Sequence, residues 1–115
     1  MKLPRLVSQM VSGGALIVGG VARAIAEGDH AYLENMKDYD LMVTSFDDWY
    51  NIALLIPKDA TVNSYGGWKF NDNGVEVDVW PETLDHYLTH GKMKRHSNVY
   101  AYDFIKERMY RGSIS

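Results

Sequence analysis

The chain contains no cysteine. That excludes disulfides, thiolate metal sites and a cysteine nucleophile, and it fits a reducing compartment, so the cytoplasm is the expected location. Proline is scarce, and its three occurrences read as helix boundaries: Pro4 in a first turn, Pro57 as a stop, Pro81 at a start. There is no excess of positive charge. Lys and Arg number 12 against 15 Asp and Glu, for a net charge of −3. A dedicated nucleic-acid-binding domain is usually basic. The one basic cluster, Lys92-Met93-Lys94-Arg95-His96, is short enough to read as a solvated loop, with a phosphate contact as the functional alternative. No long apolar run occurs. Ala15 to Val18 is too short to span a bilayer, so no membrane is expected as a partner. Polar residues after Leu3 interrupt any export-signal core. Gly-x-Gly-x-x-Gly is also missing: Ala22 and Ala24 occupy the later positions, which argues against a dinucleotide fold.

What is present suits a single domain over residues 1–115. The hydrophobic fraction of 46% and aromatic fraction of 12% are enough for one core, with little room for a second substrate-binding domain. Leu6, Val7, Met10 and Val11 fall at helical spacing. Ala15 to Val18 reads as a central strand broken by Gly19-Gly20. Val21 to Glu27 reads as a helix closed by Gly28. Residues 29–36 show no clean period and read as a loop. Tyr39 to Val43 is strand-like. A helix starts after Ser45, with Asp48 completing a near capping box, and runs on Trp49, Ile52, Ala53 and Ile56 to Pro57. Thr61 to Tyr65 is a weak strand, and Asn71-Asp72-Asn73-Gly74 is a strong hairpin turn before alternating Val75, Val77 and Val79. A helix from Pro81 to Gly91, a strand over Asn98 to Tyr102 and a helix over Asp103 to Arg111 complete an α+β (or α/β) sheet with flanking helices.

The chemistry-bearing residues lie on three of these segments. Asp38 and Asp40 project from one face of a strand, about 7 Å apart along the backbone. Two carboxylates so placed repel unless a cation lies between them, and Mg²⁺ prefers a few carboxylates plus phosphate oxygens. Asp78 sits on a later acidic strand beside Glu76. If that strand neighbours the first, Asp78 reaches the same metal and is placed to accept a proton from an attacking hydroxyl. Two Mg²⁺ ions could then hold the entering and leaving oxygens of an in-line displacement. Gly19-Gly20 lets the backbone approach a triphosphate, the following helix aims its N–H groups there, and Arg23 is a candidate phosphate contact. Each element also has a structural reading. Aspartates at strand ends are often solvated, and a glycine pair after an apolar run is often a turn.

Taken in order, Gly19-Gly20-Val21-Ala22-Arg23, Lys37-Asp38-Tyr39-Asp40-Leu41 and Val77-Asp78-Val79 resemble the nucleotidyltransferase superfamily that includes DNA polymerase beta. The pattern is most similar to the catalytic head of CCA-adding and poly(A)-adding enzymes. The resemblance spans Ala15 to Pro81. It implies a mixed sheet, two Mg²⁺ ions on Asp38, Asp40 and Asp78, and a nucleoside triphosphate such as ATP held at Gly19, Gly20 and Arg23. It also implies transfer of a nucleoside monophosphate to a hydroxyl of a protein, RNA or small-molecule acceptor. Some minimal members of the superfamily pair with helical partner proteins, so the resemblance makes a protein partner a further expectation. The chain departs from the tRNA-type heads at Ala24, where they usually carry Asp, and in the longer gap to Asp38, which adds a loop with Tyr32. The alternative is a catalytically silent binding module on the same fold.

Other constellations carry less. His86 and His90, four apart on an expected helix, have a Zn²⁺-compatible spacing without a third ligand. Ser45 is explained as a cap. Tyr32, Tyr39, Trp49, Trp68 and Trp80 read mainly as core, with Tyr32 or Trp68 as candidates for stacking on a base.

Overall fold

A computed structural model describes residues 1–91 and 98–113; the basic cluster at 92–96 lies outside them. Among the described residues the order is α1 (Arg5–Ser12), β1 (Leu16–Val18), α2 (Gly19–Glu27), α3 (His30–Asn35), β2 (Asp38–Val43), α4 (Phe46–Ala53), β3 (Thr61–Val62), β4 (Trp68–Asp72), β5 (Val75–Pro81), α5 (Leu84–His90), β6 (Asn98–Asp103) and β7 (Arg108–Ser113). The strands form one mixed sheet in the order β3-β4-β5-β2-β1-β6-β7. β2 and β5 run parallel, and every other neighbouring pair is antiparallel. The protein is therefore an α+β fold on a mixed sheet.

The alternation of side chains gives the sheet two apolar faces. Ile17, Tyr39, Leu41, Val43, Phe70, Val77 and Val79 point one way, onto Val7, Met10 and Val11 of α1, Val21 and Ala22 of α2 and Ile52 of α4. Leu16, Val18, Met42, Trp80, Val99 and Ala101 belong to a smaller cluster closed by Tyr87 of α5. Two core faces explain the unbroken apolar reading of β1.

Several local signals act as expected. Ser45 Oγ accepts a hydrogen bond from the Asp48 N–H at the start of α4. Gly28 closes α2 in the left-handed conformation. Asn73 and Gly74 both have positive φ, the pattern of a type I′ two-residue hairpin between β4 and β5.

Other expectations are corrected. The segment 29–36 holds α3, because Asp29 accepts a hydrogen bond from the Tyr32 N–H and caps a short helix that buries no residue. Helix α2 begins at Gly19 itself rather than Val21, and α4 ends at Ala53 rather than at Pro57. The weak strand at Thr61 keeps only two residues. Pro81 does not open a helix. It ends β5 opposite Val43, and Thr83 caps α5 instead. The last expected helix, Asp103 to Arg111, is absent. Asp103 accepts from the Lys106 N–H in a turn, and β7 pairs back along β6. There Tyr110 packs on the α5 cluster, and Gly112 lies against Leu88 where a Cβ would collide with helix backbone. A tertiary partner for the strand outweighed a helical period only nine residues long.

The start of α1 is held across the fold. No local side chain caps it, yet Asp72 at the end of β4 is buried and its Oδ2 accepts from the N–H groups of Leu6 and Val7, at 2.9 and 3.4 Å. The carboxylate satisfies helix donors that nothing else reaches and complements the helix dipole. Asp72→Ala is expected to cost on the order of 2 kcal/mol, and Asp72→Asn less, in urea denaturation at neutral pH. Unchanged stability in both variants would show the contact to be dispensable.

Candidate functional site

The β2–β5 register sets the site. Asp38 stands opposite Glu76 and Asp40 opposite Asp78, on neighbouring strands about 4.8 Å apart. Paired residues share a face, so all four carboxylates lie on the side of the sheet that also carries Val18, Met42 and Trp80. The hairpin adds Lys69 opposite Asp78. Across the sheet, Val18, Asp40, Asp78 and Lys69 thus form one row. Asp38 is exposed, whereas Asp40 and Asp78 are half-buried.

Electrostatics shows that these carboxylates interact. Asp40 is pushed up to about 6, first by burial and then by the negative charges of Asp78, Asp38 and Glu76, with Lys69 acting the other way. Asp78 is also raised, chiefly by burial, while Lys69 and a hydrogen bond from Asn63 pull it down. Asn63 Nδ2 donates to Asp78 Oδ1 at 3.2 Å. The Lys69 ammonium pairs with Glu76 at 3.1 Å, and that hydrogen bond is the main reason its pKa is raised. The net balance of the row is negative.

The glycine pair adjoins this row. Gly19 has φ of +66°, and a Cβ there would run into the Asp40 carboxylate. Its N–H donates to the Tyr87 hydroxyl at 3.1 Å. Gly20 lies under the Tyr32 hydroxyl, so a Cβ there would also collide. A side chain at either position would press on Asp40 or Tyr32, and at Gly19 the positive φ adds backbone strain. Arg23, one turn further along α2, pairs with Glu27 at 3.3 Å, and its Nε is buried without a partner in the protein. Asp38, Asp40, Asp78, Gly19 and Gly20 thus come together around one end of the sheet, while the Arg23 guanidinium is engaged with Glu27.

Three contributors escaped the sequence reading. Lys69 was legible: a two-residue Asn73-Gly74 turn dictates the pairs that lead from Asp72–Val75 to Lys69–Asp78. Tyr87 and Asn63 had no such signal, because each meets its partner through tertiary contact. Trp80 belongs to the second core and donates its indole N–H to Glu82. His86 hydrogen-bonds Glu82 through Nδ1 and stacks on His90 with centroids 4.6 Å apart.

The donor set fits a hard cation in its chemistry, being all carboxylate and mutually repelling. Among the described residues, no three His, Cys, Asp or Glu side chains already form a group able to hold an ion. A Mg²⁺ ion here would take much of its shell from water or phosphate, as it commonly does.

Comparisons with known proteins find no matching family model, no matching curated protein and no matching solved structure. Among the described residues no helix is long and apolar enough to cross a membrane.

Asp40 provides a sharp test of the repulsive cluster. The folded protein holds its proton more tightly than the unfolded chain does, so ionised Asp40 destabilises the fold. That cost is absent below about pH 4, grows as pH rises and is complete above about pH 6. Asp40→Asn is expected to stabilise the metal-free protein by on the order of 2 kcal/mol at about pH 7.5, with no gain at about pH 3.5. Urea denaturation at the two pH values measures this, and a loss of stability at the higher pH would contradict it.

Proposed function

We propose that the protein is a minimal nucleotidyltransferase. It transfers a nucleoside monophosphate from a nucleoside triphosphate to a hydroxyl of a protein, RNA or small-molecule acceptor. The observation that carries the reading is the placement of Asp38, Asp40 and Asp78 on one sheet face, in register, with Asp40 against the Gly19 turn that opens α2. The residue pattern that resembles the DNA polymerase beta superfamily supports it. In this reading Asp38, Asp40 and Asp78 hold Mg²⁺, and the bound ions neutralise phosphate charge and orient the entering and leaving oxygens. Asp40, at about 6, is mostly ionised at neutral pH and ready to bind a cation. In the same reading Asp78, whose carboxylate accepts a hydrogen bond from Asn63, takes the acceptor's proton. In this reading the Arg23 guanidinium, paired with Glu27 in the free protein, turns to a phosphate oxygen. Cytoplasmic location and a protein partner remain part of the proposal.

A second reading, a catalytically silent binding module, is favoured by one observation. The Tyr87 hydroxyl already occupies the Gly19 N–H, and the Tyr32 hydroxyl covers Gly20. A phosphate entering this turn must displace them.

Calorimetric titration separates the two. Nucleoside triphosphate is expected to bind with Mg²⁺ and far more weakly with EDTA, and Asp40→Asn is expected to abolish the metal-dependent part. Absence of heat under both conditions would sink the transferase reading. Transfer of label from an α-labelled triphosphate to a component of cell lysate, lost in Asp40→Asn, would establish activity.

Tyr87→Phe removes the hydroxyl that competes for Gly19. If phosphate binds at this turn, the variant is expected to hold triphosphate roughly threefold tighter. Weaker binding would place the phosphates elsewhere.

A further inference from the structure

The stacked histidines of α5 belong to no part of the carboxylate row, and their hydrogen bonds decide where each neutral ring carries its proton. His86 and His90 lie one turn apart, both exposed, with ring centroids 4.6 Å apart and planes 18° from parallel. His86 Nδ1 faces Glu82 Oε1, and a carboxylate only accepts, so the ring nitrogen donates. The other Glu82 oxygen accepts from the Trp80 indole N–H at 3.1 Å, which holds the carboxylate in place. Thr89 settles the second ring. Its hydroxyl donates toward the Asp85 and His86 carbonyls, at 2.9 and 3.2 Å. A hydroxyl has a single proton, so in the 2.7 Å contact between Thr89 Oγ1 and His90 Nδ1 it is the ring that donates.

The network therefore assigns the proton to Nδ1 in both rings and leaves both Nε2 lone pairs free. Among the described residues no hydrogen bond reaches either Nε2. A ring that donates from one nitrogen and bares the other is in the form that ligates metals. The partner at Nδ1 fixes the ring's orientation, and a carboxylate there also makes Nε2 more basic. The His86 side chain is 59% exposed, so an ion reaches it from solvent.

We propose that His86 and His90 form a two-nitrogen site for Zn²⁺ on the exposed side of α5, using none of the residues of the acidic row. Imidazole nitrogen suits zinc, whereas Mg²⁺ favours oxygen, so the two donor sets sort cations by ligand chemistry. With Zn–N bonds of about 2.0–2.1 Å, one ion spans nitrogens up to about 4 Å apart. Rings stacked at 4.6 Å reach that span with a small tilt. Water fills the remaining positions of a four-coordinate shell. His90 lies in the last turn of α5, where the helix dipole favours a cation. Between the two ligands sits Tyr87, buried, with its hydroxyl on the Gly19 N–H. The ion thus clamps the turn of helix that carries this contact. Because the two rings are neighbours only in the helix, Zn²⁺ binds the folded chain more tightly than the unfolded one and raises the urea midpoint.

Calorimetric titration with Zn²⁺ tests the site in the untagged chain and in His86→Ala, His90→Ala, His30→Ala and Asp40→Asn. One Zn²⁺ is expected to bind per chain. Losing a ligand costs at least as much as losing its outer hydrogen-bond partner, so each α5 variant is expected to bind about tenfold more weakly or worse. His30→Ala and Asp40→Asn are expected to bind as the unaltered protein does. Long-range ¹H–¹⁵N spectra of the metal-free protein are expected to show the Nδ1–H form in both rings. Absence of zinc binding, retention of full affinity in either α5 variant, or Nε2–H rings would each overturn the site. With affinity retained in the α5 variants, loss in Asp40→Asn would assign the zinc to the carboxylate row, and loss in His30→Ala to α3.

Discussion

Six residues of β2 run parallel to β5 in a register that sets Asp40 beside Asp78 and Asp38 beside Glu76. This pairing concentrates four carboxylates on adjacent strands, and without it they would be scattered charges at strand ends. Parallel neighbours need a long connection. Here α4, β3 and β4 supply it, and the tight β4–β5 turn then brings Lys69 to the outer side of the same row. Antiparallel β1 closes the inner side and delivers Gly19 next to Asp40.

The same strands also build both apolar faces, which explains how the fold tolerates the cluster. Tyr39, Leu41, Val77 and Val79, alternating with the acids, are buried under three helices. On the acidic side Met42 and Trp80 are covered by α5, while Asp38 and Glu76 remain exposed. The charge therefore sits at a boundary between core and solvent. Burial there is sufficient to raise Asp40 and insufficient to neutralise it at physiological pH. A group poised in this way responds strongly to any cation that reaches it.

Close packing surrounds the glycine pair. The Asp40 and Tyr32 side chains fill the space beside Gly19 and Gly20, and the Tyr87 hydroxyl takes the first N–H of α2. One N–H of the turn is thus already satisfied by a protein hydroxyl.

Much of this was legible in the residues alone, and the boundary is instructive. Period-two alternation located β5, Asn73-Gly74 fixed the hairpin register, and Ser45 and Gly28 marked helix ends, because each of these rests on backbone geometry within a few residues. The gathering of Asp38, Asp40 and Asp78 could be stated from sequence only on the condition that their strands were neighbours. Local reasoning missed α3, whose Asp29 cap was overlooked, and it failed at the C-terminus. There the choice between helix and strand turned on whether β6 offered an edge and α5 a surface for Tyr110. Tertiary structure alone decided that Asp72 caps a helix 65 residues away, that Tyr87 reaches Gly19 and that Asn63 ties Tyr65 to Asp78. Side-chain identity determines what each group can do chemically; only the folded chain determines which groups meet, because these partners are far apart in sequence and no local pattern encodes their encounter.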